Sequence, residues 1–184
     1  MGINLNKGGT INLAKEAGPT PLDHVQVALG WDTEADLDAS AVICGPGGKA
    51  LSPLDFVFYN NLLSPTGAIQ HMGDERTGGG DAEQLNVQLS LVPNQAASVR
   101  FLVSIHNAQA LGVHFGVVSG AYIRVVNSTD SSELARYSLT ENGDGQDCLI
   151  FGELYRDGAD WHFRAIGEFI AGGLAGAVAA HGLS

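Results

Sequence analysis

The sequence predicts an all-β sandwich or barrel closed by a short C-terminal helix, in one domain over residues 1–184. Three observations predict it. Apolar residues recur two apart in many short runs, turn-forming clusters separate those runs, and 25 glycines argue for many tight connections over long helices.

The runs come in order. Ile11–Leu13 is the first strand candidate. Val25, Val27 and Leu29 then alternate with Gln26 and Ala28. Ala41–Ile43 and Phe56–Tyr59 follow, and Leu85, Val87 and Leu89 alternate with Asn86 and Gln88. Val99, Phe101, Val103 and Ile105 lie two apart; Tyr122–Val126 is β-branched and aromatic. Leu134–Leu139, Leu149–Tyr155 and Trp161–Ile166 complete the set. Gly8-Gly9, Gly45-Pro46-Gly47-Gly48, Thr77–Gly80, Asn127–Asp130 and Asn142–Gly145 punctuate it as turns. Alternation of this kind places one side of each strand against a core and the other outward. Gly167–Ala180 carries Ile170, Leu174 and Val178 at i, i+4, i+8, a stripe that predicts a helix docked on a sheet. A bilayer span needs about 20 apolar residues, so this glycine-rich run predicts no direct membrane insertion.

Composition narrows the function. Hydrophobic residues at 45% and charged residues at 16% exclude a disordered acidic chain. Lys and Arg number 9 against 20 Asp and Glu, a formal charge of −11. Such a surface repels nucleic acid and anionic lipid and attracts cations, so no nucleic-acid partner is expected. Cys44 and Cys148 lie far apart outside any CxxC, each in an apolar run, and read as small buried hydrophobes in a reducing compartment. The opening Met1–Lys7 lacks the basic-then-apolar layout of a secretory signal, and a cytoplasmic location is expected.

The acids cluster. Asp32, Glu34, Asp36 and Asp38 fall within seven residues, and Asp74, Glu75, Asp81 and Glu83 within ten; these 17 residues hold 8 of the 20 acids. Like charges packed this densely repel unless water solvates each one or a cation lies between them. In extended chain Asp36 and Asp38 share a face about 6.5 Å apart, close enough to flank a divalent ion. The second cluster is a glycine-rich loop able to add backbone carbonyls, and Tyr59-Asn60-Asn61 adds amide oxygens. All-oxygen donors on flexible backbone suit Ca²⁺, which takes about 6–8 oxygens at about 2.3–2.6 Å; Mg²⁺ demands a stricter octahedron. Zinc would require His or Cys, which neither cluster contains. A plainly solvated acidic surface is the alternative.

Other motifs read blandly. His71 with Asp74 suggests an acid–base pair but fits a half-exposed His beside a turn. His106 and His114 lack metal-ligand spacing. Glu141–Asp147 fails the EF-hand order and reads as a hairpin turn. Gly78-Gly79-Gly80 is followed by no Lys-Ser or Lys-Thr, which excludes a phosphate loop. No Gly-x-Ser-x-Gly signature is present.

Several ordered motifs resemble those of the TerD family, which includes tellurium-resistance and general stress proteins. They are Leu5-Asn6-Lys7-Gly8-Gly9, Gly30-Trp31-Asp32, Asp36-Leu37-Asp38-Ala39-Ser40, Phe58-Tyr59-Asn60-Asn61 and His71-Met72-Gly73-Asp74. Arg76-Thr77-Gly78, Ser119–Arg124, Gly152-Glu153-Leu154-Tyr155-Arg156 and Trp161–Gly167 continue the series over essentially the whole chain. The resemblance implies a two-sheet β-sandwich with acidic metal-binding loops. It implies a cytoplasmic calcium-binding stress-response protein of the tellurium-resistance type, acting as a calcium-dependent binding or scaffold module with protein partners in a stress-response complex. Carried onto this sequence, the ligands are Asp32, Asp36, Asp38, Asn60, Asp74, Asp81 and Glu83, for one or two ions. Both acidic loops are shorter than the family pattern, and Ala82 stands where a second Asp is usual. The rival readings are a metal-dependent hydrolase on the same carboxylates, with His71 as base, and a structural subunit whose loops hold no ion.

Overall fold

Alternating apolar runs can be buried only if two sheets face each other, and that is the arrangement found. A computed structural model of the chain describes residues 2–73 and 80–184. The elements are β1 (Ile3–Leu5), β2 (Thr10–Asn12), α1 (Leu13–Ala17), β3 (His24–Asp32), β4 (Leu37–Cys44), β5 (Phe56–Val57) and β6 (Ile69–His71). Then come β7 (Glu83–Gln88), β8 (Ser98–Ile105), α2 (Ala108–Leu111), β9 (Ser119–Asn127), β10 (Glu133–Ser138), β11 (Cys148–Asp157), β12 (Asp160–Ile170) and α3 (Gly173–Ala180). One sheet runs β1-β10-β9-β3-β7-β6 and the other β2-β12-β11-β8-β4-β5. The β1–β10 pair is parallel; the other pairings among the described residues are antiparallel.

The core lies between the sheets. Val25, Val27 and Leu29 of β3 point into it, as do Leu37, Ala39, Ala41 and Ile43 of β4 and Phe101 and Val103 of β8. Tyr137 and Phe151 meet edge-on across it at 5.7 Å between ring centroids. The outer face of the second sheet is apolar too: Val42, Cys44, Leu102, Cys148 and Ile150 are buried there beneath Ile170, Leu174, Ala177 and Val178. This second cluster is why Ala41–Cys44 reads as a continuous apolar run, because α3 covers the face that would otherwise meet water. Burial pushes both thiols, Cys44 and Cys148, up to about 12, so neither is a reactive thiolate near neutral pH.

The differences from expectation are local. The C-terminal helix begins at Gly173, because β12 runs on to Ile170, paired with Cys148, and Gly172 turns the chain at φ 98°. Leu13 starts α1 rather than ending a strand: the Asn12 side chain caps the Lys15 N–H at 3.1 Å. Strands β1 and β6, three residues each, are too short to show a period. The Glu141–Asp147 segment is a turn but not a hairpin, since it carries the chain from β10 in one sheet to β11 in the other. Among the described residues no helix is long and apolar enough to cross a membrane.

Phe101 is fully buried at the centre of the second sheet. Phe101→Ala is expected to lower unfolding free energy by about 3–5 kcal/mol, read from the urea midpoint at unchanged slope.

Candidate functional site

Strand β4 is covered by β8 along its whole length on one edge, but β5 pairs only with Ala41 and Val42 on the other. At Ala39 that second edge has no strand partner, and a buried backbone N–H and C=O left bare would be costly. Two side chains from the opposite sheet fill the gap. Glu83 Oε2 accepts the Ala39 N–H, and His71 Nε2 lies 3.2 Å from the Ala39 carbonyl oxygen and 3.4 Å from Glu83 Oε2. Glu83 and His71 are 6% and 4% exposed. Glu83 sits on the inward side of β7 with Leu85 and Val87, so alternation aims a carboxylate where an apolar side chain would be expected.

The Gly73 N–H donates to His71 Nδ1 at 3.0 Å, which assigns the proton of the neutral ring to Nε2. Burial works against charge on this ring. The Glu83 carboxylate, the Ala39 carbonyl and Asp38 outweigh it and raise His71 above its ordinary pKa. With both nitrogens engaged and the ring buried, His71 holds the two sheets together and is not placed as a general base.

Asp81 is held by another set of partners. Tyr122 Oη donates to its Oδ1 at 2.7 Å, and Arg124 grips both carboxylate oxygens through Nε and Nη2. Arg124 also reaches Glu133 at 3.3 Å, and Arg136 lies 3.9 Å over the Tyr122 ring. That ring covers Gly30 on β3, where even a Cβ would overlap it, so the strand needs glycine here for this close approach. Burial pushes the Asp81 pKa up, but the Arg124 and Tyr122 hydrogen bonds prevail and hold it below the usual carboxylate range.

These contacts lie at one end of the sandwich. Asp32 pairs with Ser119, the Ala82 N–H donates to the Leu29 carbonyl, and the His106 N–H donates to the Asp36 carbonyl at 2.8 Å. The Ile105 N–H donates to the Asp147 carbonyl, which brings a third acidic segment, Glu141–Asp147, to the same end. The described segments there, residues 32–38, 80–83 and 139–147, hold nine carboxylates and no Lys or Arg. Asp38 and Asp147 line one cleft of about 390 Å³ together with Tyr59 and His106. Asp147 was missed in the sequence because its loop looked like an isolated hairpin; only the crossing between sheets delivers it here.

The sequence-derived ligands therefore divide. Asp32 and Asp36 are exposed, Asp38 is half-buried with Oδ2 3.9 Å from His106 Nδ1, and Asn60 is exposed in the Phe58–Asn61 turn. Asp81 and Glu83 are engaged by protein partners. Asp74 lies outside the described residues. Among the described residues no group of three or more His, Cys, Asp or Glu side chains is gathered closely enough to hold a metal ion.

The family model for the TerD domain matches residues 1–181. The chain belongs to the TerD family. Tellurium resistance protein TerD of Serratia marcescens is 45% identical, covering 100% of this chain and 99% of that protein. General stress protein 16U of Bacillus subtilis (strain 168) is 42% identical, covering 100% and 98%. Both alignments extend over 192 positions, so these TerD relatives carry at least eight residues that this chain of 184 lacks. In fold, the chain is similar to the crystal structure of a homologue of telluride resistance protein (TerD) from Streptomyces coelicolor A3(2). The TM-score is 0.65 at 23% identity, over 84% of this chain and 94% of that one. The two-sheet sandwich with its short C-terminal helix is thus a TerD architecture.

Because Asp81 titrates below its ordinary value of 3.8, its ion pair adds stability above that pH and loses it as pH falls through the depressed value. Asp81→Asn is expected to cost about 1–3 kcal/mol at neutral pH. The gap from the wild type should close in urea titrations under strong acid; a gap that persists there would mean the loss is not electrostatic.

Proposed function

We propose that this TerD chain is a cytoplasmic calcium-binding stress-response module that acts by binding partners and not by turnover. The observation that carries the reading is the Glu83–Ala39 contact, which joins two acidic stretches 44 residues apart at an end whose described segments carry nine carboxylates. Carboxylates concentrated at one end of a domain without a Lys or Arg among the same described segments repel one another, and a divalent cation relieves that repulsion more effectively than monovalent counterions. The donors fit the ion by chemistry. Asp32, Asp36, Asp38 and Asn60 offer oxygen alone, the preference of Ca²⁺, and lie where the chain turns between sheets. Asp81 and Glu83 already serve protein partners, so the remaining oxygens have to come from water, backbone carbonyls and the stretch containing Asp74. Calcium would supply charge neutralisation and loop ordering; the chain's own residues position the oxygens.

The non-enzymatic side of the proposal rests on His71. A hydrolase on these carboxylates needs a base beside the ion, and both ring nitrogens of its best candidate are committed inside the protein.

Calorimetric titration is expected to show calcium binding favoured over magnesium, and calcium at about 100 times its Kd should add about 2.7 kcal/mol of stability. Asp36→Asn with Asp38→Asn should remove both effects. No calcium heat and no rise in melting temperature at millimolar ion would defeat the proposal.

A further inference from the structure

Helix α3 covers the apolar outer face of the second sheet, yet little in its own sequence makes it helical. It has eight residues, two of them the glycines Gly173 and Gly176. An isolated helix shorter than about 12–15 residues is marginal in water even without glycine, so α3 depends on docking. Leu174, Ala177 and Val178 belong to the cluster formed with Val42, Leu102, Cys148 and Ile150. Hydrogen bonds tether both ends. At the amino end Asp147 Oδ1 accepts the Gly172 N–H at 3.0 Å. At the carboxyl end Lys49 Nζ donates to the Ala180 carbonyl at 2.9 Å, and the Ala50 N–H donates to the His181 carbonyl at 3.0 Å.

The ring of His181 closes that second end and is 1% exposed. His181 Nδ1 lies 2.7 Å from the Ala177 carbonyl oxygen, which can only accept, so Nδ1 carries the proton of the neutral ring. Nε2 is left as a bare lone pair, buried and without a hydrogen-bond partner among the described residues. A proton added there would be a buried donor with no acceptor, on a ring that had become charged. Burial is the main force against that charge. Arg100 of β8 and Lys49 of the β4–β5 connection add to it, and together they outweigh the Ala177 bond and hold His181 below its ordinary value of 6.5. Glu153 of β11 faces Arg100, 3.5 Å from its Nε. Beneath the helix, Cys44 of β4 and Cys148 of β11 stay neutral, and β12 contributes the uncharged Ile166 and Ile170.

We infer that α3 is an acid-released cover with His181 as its latch: protonation at Nε2 detaches the helix and bares the apolar face of β4, β8 and β11 beneath it. Release is local, because the core between the two sheets holds no part of α3 except through that outer face. An undocked His181 takes up its proton at the ordinary value, and the docked ring only below it. Docking is therefore at full strength above pH 6.5. As pH falls it weakens by at most about tenfold per pH unit, until the depressed value is passed. His181 and the cations facing it are not among the candidate calcium ligands, so the latch stands apart from the calcium reading.

The two thiols under the helix report its release. The test is the rate at which 4,4′-dithiodipyridine, which reacts under mildly acidic conditions, labels Cys44 and Cys148 in the full chain. Each rate is taken relative to the urea-unfolded chain at the same pH, which removes the reagent's own pH dependence. From pH 7 to pH 5 the relative rate is expected to rise roughly three- to thirtyfold while near-ultraviolet circular dichroism stays native. His181→Asn, whose amide can still donate to the Ala177 carbonyl but gains no charge, should flatten that rise. His181→Gln serves the same purpose where the first variant does not fold. A flat profile in the wild type, or the wild-type rise persisting in a folded variant, would overturn the inference. So would a rise that tracks the loss of native circular dichroism, which would make His181 a determinant of global stability and not a latch.

Discussion

The organisation of the acidic end follows from one unfilled strand edge. Strand β4 has a neighbour along all of one side, but on the other its pairing begins only at Ala41, which leaves the Ala39 amide facing a space no strand occupies. Buried backbone groups must find partners, and here a glutamate and a histidine from the opposite sheet take the place of a strand. The solution ties the sheets together at their rims. It also sets the start of β7 beside β4, with Ala82 bonded to Leu29 at the same rim. The placing of Asp81 and Glu83 at the same end as Asp32–Asp38 is thus a consequence of how the sandwich is sealed.

Much of the fold was legible in the sequence because each long strand buries one face. Val25–Leu29, Val99–Ile105 and Leu149–Tyr155 announce themselves by alternation or by unbroken apolar character. The helical stripe of Leu174 and Val178 is also visible, although its first predicted member, Ile170, belongs to the end of β12. The three-residue strands β1 and β6 were not legible, since their pairing comes from the partner strand and not from their own pattern. Nor was the crossing of residues 139–147 between sheets, because a turn signal says that the chain reverses without saying which strand receives it.

The site was legible as chemistry and not as geometry. The two acidic clusters were legible in the sequence, and Glu83 of the second meets Ala39, beside Asp38 of the first. What one-dimensional reasoning missed is that carboxylates in the same run do different jobs. Glu83 bonds a strand edge, Asp81 answers Arg124 and Tyr122, and Asp38 faces a cleft with Asp147. Arg124 was not singled out, because its partner lies 43 residues away on a neighbouring loop. TerD membership is shown along nearly the full chain, with relatives of similar length named for tellurium resistance and general stress.

Backbone amide NMR during a calcium titration tests most directly whether the converging acidic segments act as one unit. Shared coordination requires the amides of residues 32–39 and of Gly73 and 80–83 to shift together, along one binding curve with a common midpoint. Shifts confined to a single segment, separate midpoints, or changes centred at the far end around His24 and Asn127 would contradict it.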